Sequence, residues 1–484
     1  MHFSITTKVF LALSLLSLVG CAEEGGAPST DDGPNIIPRD AGNGDDDDDV
    51  ESPNTARPVA SEFTITENEA RTGYKYRRYV FRHQAEHGKS KKLTVTQHVE
   101  VMVPNGVKTT DNVYLLLDHG ADSTIERLEQ HTGLPRFFGS RFIYIIAEHR
   151  GYGQSLSDDT DQSIPTYVTH EQAVLDAHEV IKALKKEFTG KWQAFGYGYG
   201  GSLVTELAAK YPTDADVFVA SSAVIEWPAV DDTREGYIRN RLGGVSYDRA
   251  VAHLAALKPT ELFRSKWETR EAFESLLAAS AQQPWSDEQI TSLRVLLGKT
   301  TEEVVDGLSA IDKSATDGEA TTYAKARGME SLTRAQALAS DISGRTFFFQ
   351  QCSELGGLYI SPVAGGLFGR APEDHSSECG EQFGRGNVMD IDIGRTAWDL
   401  SDEVLKIGEK GANLIYVRGG RDPGQDYGLR APNWAPRVTN AKSSVYDVRF
   451  GSYLDVPAGY ANPDLNDTEV GLVLWGEVAR LLAL

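Results

Sequence analysis

Six residues, Gly196-Tyr197-Gly198-Tyr199-Gly200-Gly201, constrain the fold more than any other stretch of this 484-residue chain. The apolar run Trp192-Gln193-Ala194-Phe195 leads into them, and Ser202 to Lys210 carries a helical pattern out to Tyr211-Pro212. Glycines this dense mark a backbone that turns more sharply than side chains allow. Strand, tight turn and helix must therefore follow one another without a loop.

Similar alternation surrounds this turn. Phe63–Glu67, Tyr76–Arg82 and Leu93–Val103 alternate as strands do. Val113–Leu117 and Phe142–Ala147 are continuous apolar runs, which suits strands covered on both faces. Glu171 to Phe188 places Ala173, Val174, Ala177, Val180, Ile181 and Leu184 at helical spacing. A further strand is expected at Val217–Ala220. From Ile225 to Ser340 the pattern becomes charged and helical, as in Tyr247–Leu257, Arg270–Ala281 and Asp287–Leu297. The β-type pattern resumes at Thr346–Phe349, at Asn413–Val417 and at Val445–Phe450, and Glu469–Leu484 reads as a closing helix. Strands alternating with helices imply a doubly wound, mostly parallel sheet. The expected organisation is a leader (1–21), a tether (22–58), a core in two parts (59–224 and 341–484) and a helical cap between them (225–340).

The leader has Lys8 followed by the short apolar run Val9–Val19 and then Gly20-Cys21. This is too short to span a bilayer and fits a secretory signal. Its end resembles a lipobox, which makes Cys21 the expected lipidated residue and the protein an exported lipoprotein, anchored in a bacterial outer membrane or at the cell surface. Residues 22–57 are rich in Gly, Pro, Asp and Ser, a composition that cannot offset its ordering entropy and reads as a tether. The formal net charge of −22 argues against nucleic acid as a partner.

The strand–turn–helix around Gly198 has the layout of the nucleophile elbow of α/β-hydrolases, G-x-S-x-G, with glycine where serine would stand. Other landmarks follow in order. Ala147-Glu148-His149-Arg150 with Gly151-Tyr152-Gly153-Gln154-Ser155 is similar to an A-E-H-R-x-Y-G-x-S segment. Lys210-Tyr211-Pro212, Ala220-Ser221-Ser222-Ala223, Phe349-Gln350-Gln351-Cys352-Ser353-Glu354 and Gly419-Gly420-Arg421-Asp422-Pro423 match further segments of the same family. The chain thus resembles the lysosomal-type Pro-X carboxypeptidases and dipeptidyl peptidases, with the bacterial secreted tripeptidyl aminopeptidases as more distant cousins. That resemblance covers most of Val113 to Leu484 and implies an α/β-hydrolase fold with a helical cap. It also puts a disulfide between Cys352 and Cys379 beside the cleft, in keeping with the even pair that remains once Cys21 is lipidated.

The family chemistry needs Ser, then Asp, then His in chain order. Gly198 occupies the nucleophile position and Asp422 the acid position. By the resemblance the histidine position falls in Gly451-Ser452-Tyr453-Leu454-Asp455, at Tyr453 or Ser452, and no histidine follows Asp422, because His375 is the last in the chain. Tyr199, His119, Gly120 and Glu148 are the expected oxyanion and cleft residues. His119 and His149 are the candidates for a substitute base, and Ser202, Ser221 and Ser222 the nearby hydroxyls. No H-E-x-x-H or related signature calls for a metal, and no cofactor is expected. The reading is a serine exopeptidase homologue with a degenerate triad, inactive, holding a peptide or protein in a capped cleft. An active hydrolase with a displaced nucleophile and base is the alternative. The resemblance also makes a homodimer an expectation.

Overall fold

The computed structural model describes residues 62–88, 93–117, 141–158, 164–231, 233–256, 287–301, 303–304, 342–359, 366, 372–392, 396–402, 404, 407, 411–419, 444–448, 478 and 480–482. Its centre is a nine-stranded sheet in the order β1-β2-β3-β5-β4-β6-β7-β12-β13. The strands are β1 (Glu62–Arg71), β2 (Tyr74–Gln84), β3 (Thr94–Pro104), β4 (Asn112–Leu117), β5 (Phe142–Ala147), β6 (Trp192–Tyr197), β7 (Val217–Ser221), β12 (Leu414–Gly419) and β13 (Ser444–Val448). From β1 to β5 the neighbours β1–β2, β2–β3 and β3–β5 are antiparallel. Every pairing from β5 through β4, β6, β7 and β12 to β13 is parallel.

The continuous apolar runs form the middle of the sheet because they are covered on both faces. Val113, Leu115 and Leu117 of β4 pack with Ile143 and Ile145 of β5 against helices α1 (His170–Leu184) and α2 (Tyr199–Lys210). Tyr114, Leu116, Tyr144 and Ile146 face the other way, into a cluster completed by Val478 and Leu482. At the start of α1, the Thr169 hydroxyl accepts from the Gln172 amide at 3.3 Å, satisfying one of the otherwise orphaned first-turn donors.

After β7 the chain makes two short strands, β8 (Glu226–Pro228) and β9 (Val230–Asp231), and then the described helices α3 (Arg234–Leu242), α4 (Gly244–Ala256) and α5 (Asp287–Leu296). It returns through α6 (Ile342–Gln350), a single π-helical turn (Gln351–Leu355), β10 (Leu358–Tyr359), α7 (Pro372–Phe383) and β11 (Thr396–Asp399). β10 pairs with β9, and β11 with β8. None of the described helices is long and apolar enough to cross a membrane.

The sequence reading of Thr346–Phe349 as a return to β-structure is corrected: these residues lie in α6. A short apolar run has no period of its own to separate a buried strand from a buried helix. Here Phe348 and Phe349 pack with Cys352, Cys379 and Phe383, and the Thr346 hydroxyl donates to the Gly151 carbonyl at 2.8 Å. The Cys352–Cys379 disulfide is present, with Cα atoms 5.6 Å apart. Cys21, the expected tether, Arg270–Ala281 and most of Glu469–Leu484 lie outside the described residues.

Candidate active site

β6 ends at Tyr197 and α2 begins at Tyr199, so Gly198 alone makes the turn. Its backbone has φ 53° and ψ −126°, a region that costs a side-chain-bearing residue roughly 1–3 kcal/mol and that glycine enters without that cost. The flanking glycines are needed for a different reason. A Cβ on Gly196 would lie 2.2 Å from the Gly200 carbonyl oxygen, and one on Gly201 would meet Ala223 Cβ at 3.0 Å. The close approach of α2 to β6 and to the strand beside it therefore depends on their having no side chain. The Gly198 amide donates to the Ser221 carbonyl at 2.9 Å, tying the turn to the end of β7.

The β6–β7 register sets Tyr197 against Ser221, which brings Ser222 beside Gly198 at the carboxyl edge of the sheet. Ser222 has φ 48°, the positive-φ non-glycine conformation among the described residues. Its amide donates to the Val417 carbonyl on β12 at 2.6 Å. Ser202 is buried in α2, where its hydroxyl donates to the Val224 carbonyl at 2.6 Å.

Behind the turn runs a directed chain of hydrogen bonds. The Tyr152 hydroxyl donates to Gln350 Oε1 at 2.6 Å, and Gln350 Nε2 donates to the Tyr199 hydroxyl at 3.2 Å. His149 Nδ1 lies 2.6 Å from the Arg150 carbonyl, an acceptor only, so Nδ1 carries a proton. In the neutral ring Nε2 is then an acceptor for the Tyr199 hydroxyl, at 3.3 Å. Burial pushes the Tyr152 and Tyr199 phenols well above their usual range, which keeps both as neutral donors. His149, one of the two sequence candidates for a substitute base, is thus satisfied within this chain.

Glu148 has a comparable local role. Its carboxylate accepts from the Gln154 amide at 3.0 Å and from the Ser155 hydroxyl at 2.6 Å. A Cβ on Gly153 would lie 1.9 Å from its Oε1. The acid closes the turn that follows β5.

On the opposite flank of Tyr199 the buried His170 ring lies between the Tyr199 ring, 5.4 Å away, and the Trp398 ring, 4.2 Å away. Its Nε2 is 2.5 Å from Glu206 Oε2, a close contact without good hydrogen-bond alignment. Burial works to raise the Glu206 carboxyl, but the His170 and Lys210 charges outweigh it and hold the group at about 2. Glu354 accepts the His170 amide through both oxygens, at 2.9 and 3.0 Å, and burial pushes its carboxyl up. Tyr152, His170, Glu206 and Gln350 carried no functional sequence expectation, because each gains its meaning from partners distant in the chain. Asp422, Tyr453, His119 and Gly120 lie outside the described residues.

The strand order and the elbow together define an α/β-hydrolase-fold protein. Residues 116–234, which contain the elbow, match the family model of the serine carboxypeptidase S28 family. Over 91 residues the chain is 39% identical to lysosomal Pro-X carboxypeptidase of Pongo abelii and 37% identical to that of Homo sapiens. Over these segments the chain is similar to the serine exopeptidases. Each match spans 17% of this chain and 18% of the relative. Among solved structures, proline iminopeptidase of Mycobacterium smegmatis aligns over 80% of this chain and 96% of its own, at 12% identity and a TM-score of 0.34.

Proposed function

We propose that this chain is an exported, lipid-anchored homologue of the prolyl exopeptidases that has lost hydrolytic activity and holds a peptide or protein segment in its capped cleft. The observation that carries this reading is Gly198, which occupies the elbow backbone a nucleophile would occupy but brings no nucleophilic atom. The absence of any histidine after Asp422 supports it. The amide of Tyr199, first residue of α2, is a donor suited to a carbonyl or carboxylate of the bound segment. Anchoring through Cys21 and the acidic tether would keep that cleft at the membrane surface.

Fluorophosphonate labelling of the purified protein tests this, with the modified residue mapped by mass spectrometry and an active family member as control. The expected result is no labelled serine in the folded chain. A second reading, an active hydrolase with a displaced nucleophile, is favoured by Ser222, whose strained backbone lies beside Gly198. Stoichiometric labelling at Ser222 would overturn the inactive reading and establish this one.

A further inference from the structure

On the flank of the sheet, His83 of β2, His87 in the turn after it and Asp176 of α1 bring three ligand atoms within 4.8 Å of one another. Their side chains are 1% exposed or less. One hydrogen bond from outside the cluster decides how His83 faces it. Gln97 Nε2 donates to the Glu148 carbonyl at 2.8 Å, so Gln97 Oε1 is the atom 2.7 Å from His83 Nε2. That oxygen is an acceptor, which requires a proton on Nε2. The neutral ring then turns the Nδ1 lone pair toward Asp176 Oδ1, 3.3 Å away. His87 Nε2 reaches the same oxygen at 2.8 Å.

We infer that His83 Nδ1, His87 Nε2 and Asp176 Oδ1 form a buried site for a divalent transition cation, with zinc the best match to the donors. Two imidazoles and a carboxylate are an established donor set for zinc. Donors at about 2.0–2.1 Å from a tetrahedral ion sit roughly 3.3 Å apart; Asp176 Oδ1 stands 3.3 Å from His83 Nδ1 and 2.8 Å from His87 Nε2. The outer shell is also in place. A ligating imidazole usually gives its other N–H to a carbonyl or carboxylate, and a ligating carboxylate is itself hydrogen-bonded. Gln97 does the first for His83. Arg150 does the second for Asp176, through Nε to Oδ2 and Nη2 to Oδ1, both at 2.6 Å.

Binding requires His87 to turn an Nε2 lone pair to the ion, with its proton carried on Nδ1. Arg150 is the one cation in contact with the cluster among the described residues, and its charge lowers affinity relative to a site without it. Because the ligands are buried, the ion is acquired as the chain folds and exchanges slowly afterwards. Arg150 Nη1 also donates to the Ala85 and Tyr167 carbonyls, at 2.7 and 3.0 Å. The ion would therefore brace the segment that carries His149 behind the elbow.

The test is to refold the full chain with cobalt(II) or zinc, desalt it, and measure retained metal and the visible spectrum of the cobalt form. The expected result is about one ion per chain, ligand-field bands of tetrahedral N/O coordination, and a raised Tm, all lost in folded His87→Asn and His83→Gln chains. Retention that persists in both variants would place the metal elsewhere, for instance on Asp45–Asp49, and overturn the site. No retained ion and no cobalt bands in the unaltered chain would overturn it whether or not the variants fold.

Discussion

The Tyr199 hydroxyl lies 3.3 Å from His149 Nε2, joining the first residue of the elbow helix to the segment that follows β5. The same oxygen accepts from Gln350 Nε2, so one phenol links three parts of the chain. Tyr199→Phe leaves the Gln350 amide and the His149 ring without this partner in a buried site. The expected cost is about 1–3 kcal/mol, the usual range for an orphaned buried polar group. Urea denaturation of the two proteins measures it, and an unchanged midpoint would show that the chain of bonds contributes nothing to stability.

The two elbow glycines should rank in a definite order. Gly196→Ala drives a Cβ into the Gly200 carbonyl, a backbone clash that costs roughly 3 kcal/mol or more. Gly198→Ala meets the strain of its positive φ, about 1–3 kcal/mol. Thermal melts of both variants check the ranking, and the reverse order would mean that α2 can move away from β6.

Restoring the missing groups tests what the cleft retains. Gly198→Ser with Tyr453→His is expected to show cleavage of prolyl peptide substrates above either single variant, since nucleophile and base act as a unit. A double variant that folds but equals the singles would mean that Asp422 or the oxyanion donors are not in working positions.

Arg150 bonds both oxygens of Asp176 in the interior. Arg150→Met leaves that carboxylate buried without its cation, and the expected destabilisation is about 3–5 kcal/mol. A loss under about 1 kcal/mol would show that the pair is only an exposed-type contact in energetic terms. The midpoint of chemical denaturation decides between them.

Glu206 supplies the pH dependence. Its folded value, about 2, lies below the ordinary 4.5 because the His170 and Lys210 charges outweigh burial. A depressed carboxyl contributes stability that is fully present above its unfolded value and is lost as pH falls through the folded one. Stability should therefore drop between about pH 4.5 and pH 2, and Glu206→Gln should flatten that part of the curve. Glu354 acts in the opposite sense, since burial raises it and the fold favours its protonated form. An unaltered slope in the Glu206 variant would assign acid sensitivity to other carboxyls.

What the sequence disclosed followed periodicity and local spacing. Val113–Leu117 and Phe142–Ala147 announced central strands because both of their faces are covered. Gly196 to Gly201 announced the elbow because a Cβ at Gly196 or Gly201 would crowd the approach of helix to strand. Thr346–Phe349 misled because a run shorter than two helical turns fits either period. The Tyr152–Gln350 bond crosses 198 residues of sequence and the Gln97–His83–Asp176 cluster draws on two strands and a helix. No local pattern encodes such contacts. β8 to β11 escaped notice because strands of two to four residues carry too little alternation to read.

The pairing of β9 with β10 and of β8 with β11 has a consequence for how this scaffold can change. Val230 stands opposite Leu358 and Trp227 opposite Trp398, so the chain leaves the sheet and comes back at adjoining points. Such a junction works as a socket. Lengthening, shortening or replacing the segment between its two ends leaves the sheet register untouched and adds only the slowly growing entropy of a longer closed loop. Selection can thus retailor the segment inserted there while the elbow at the sheet edge stays fixed.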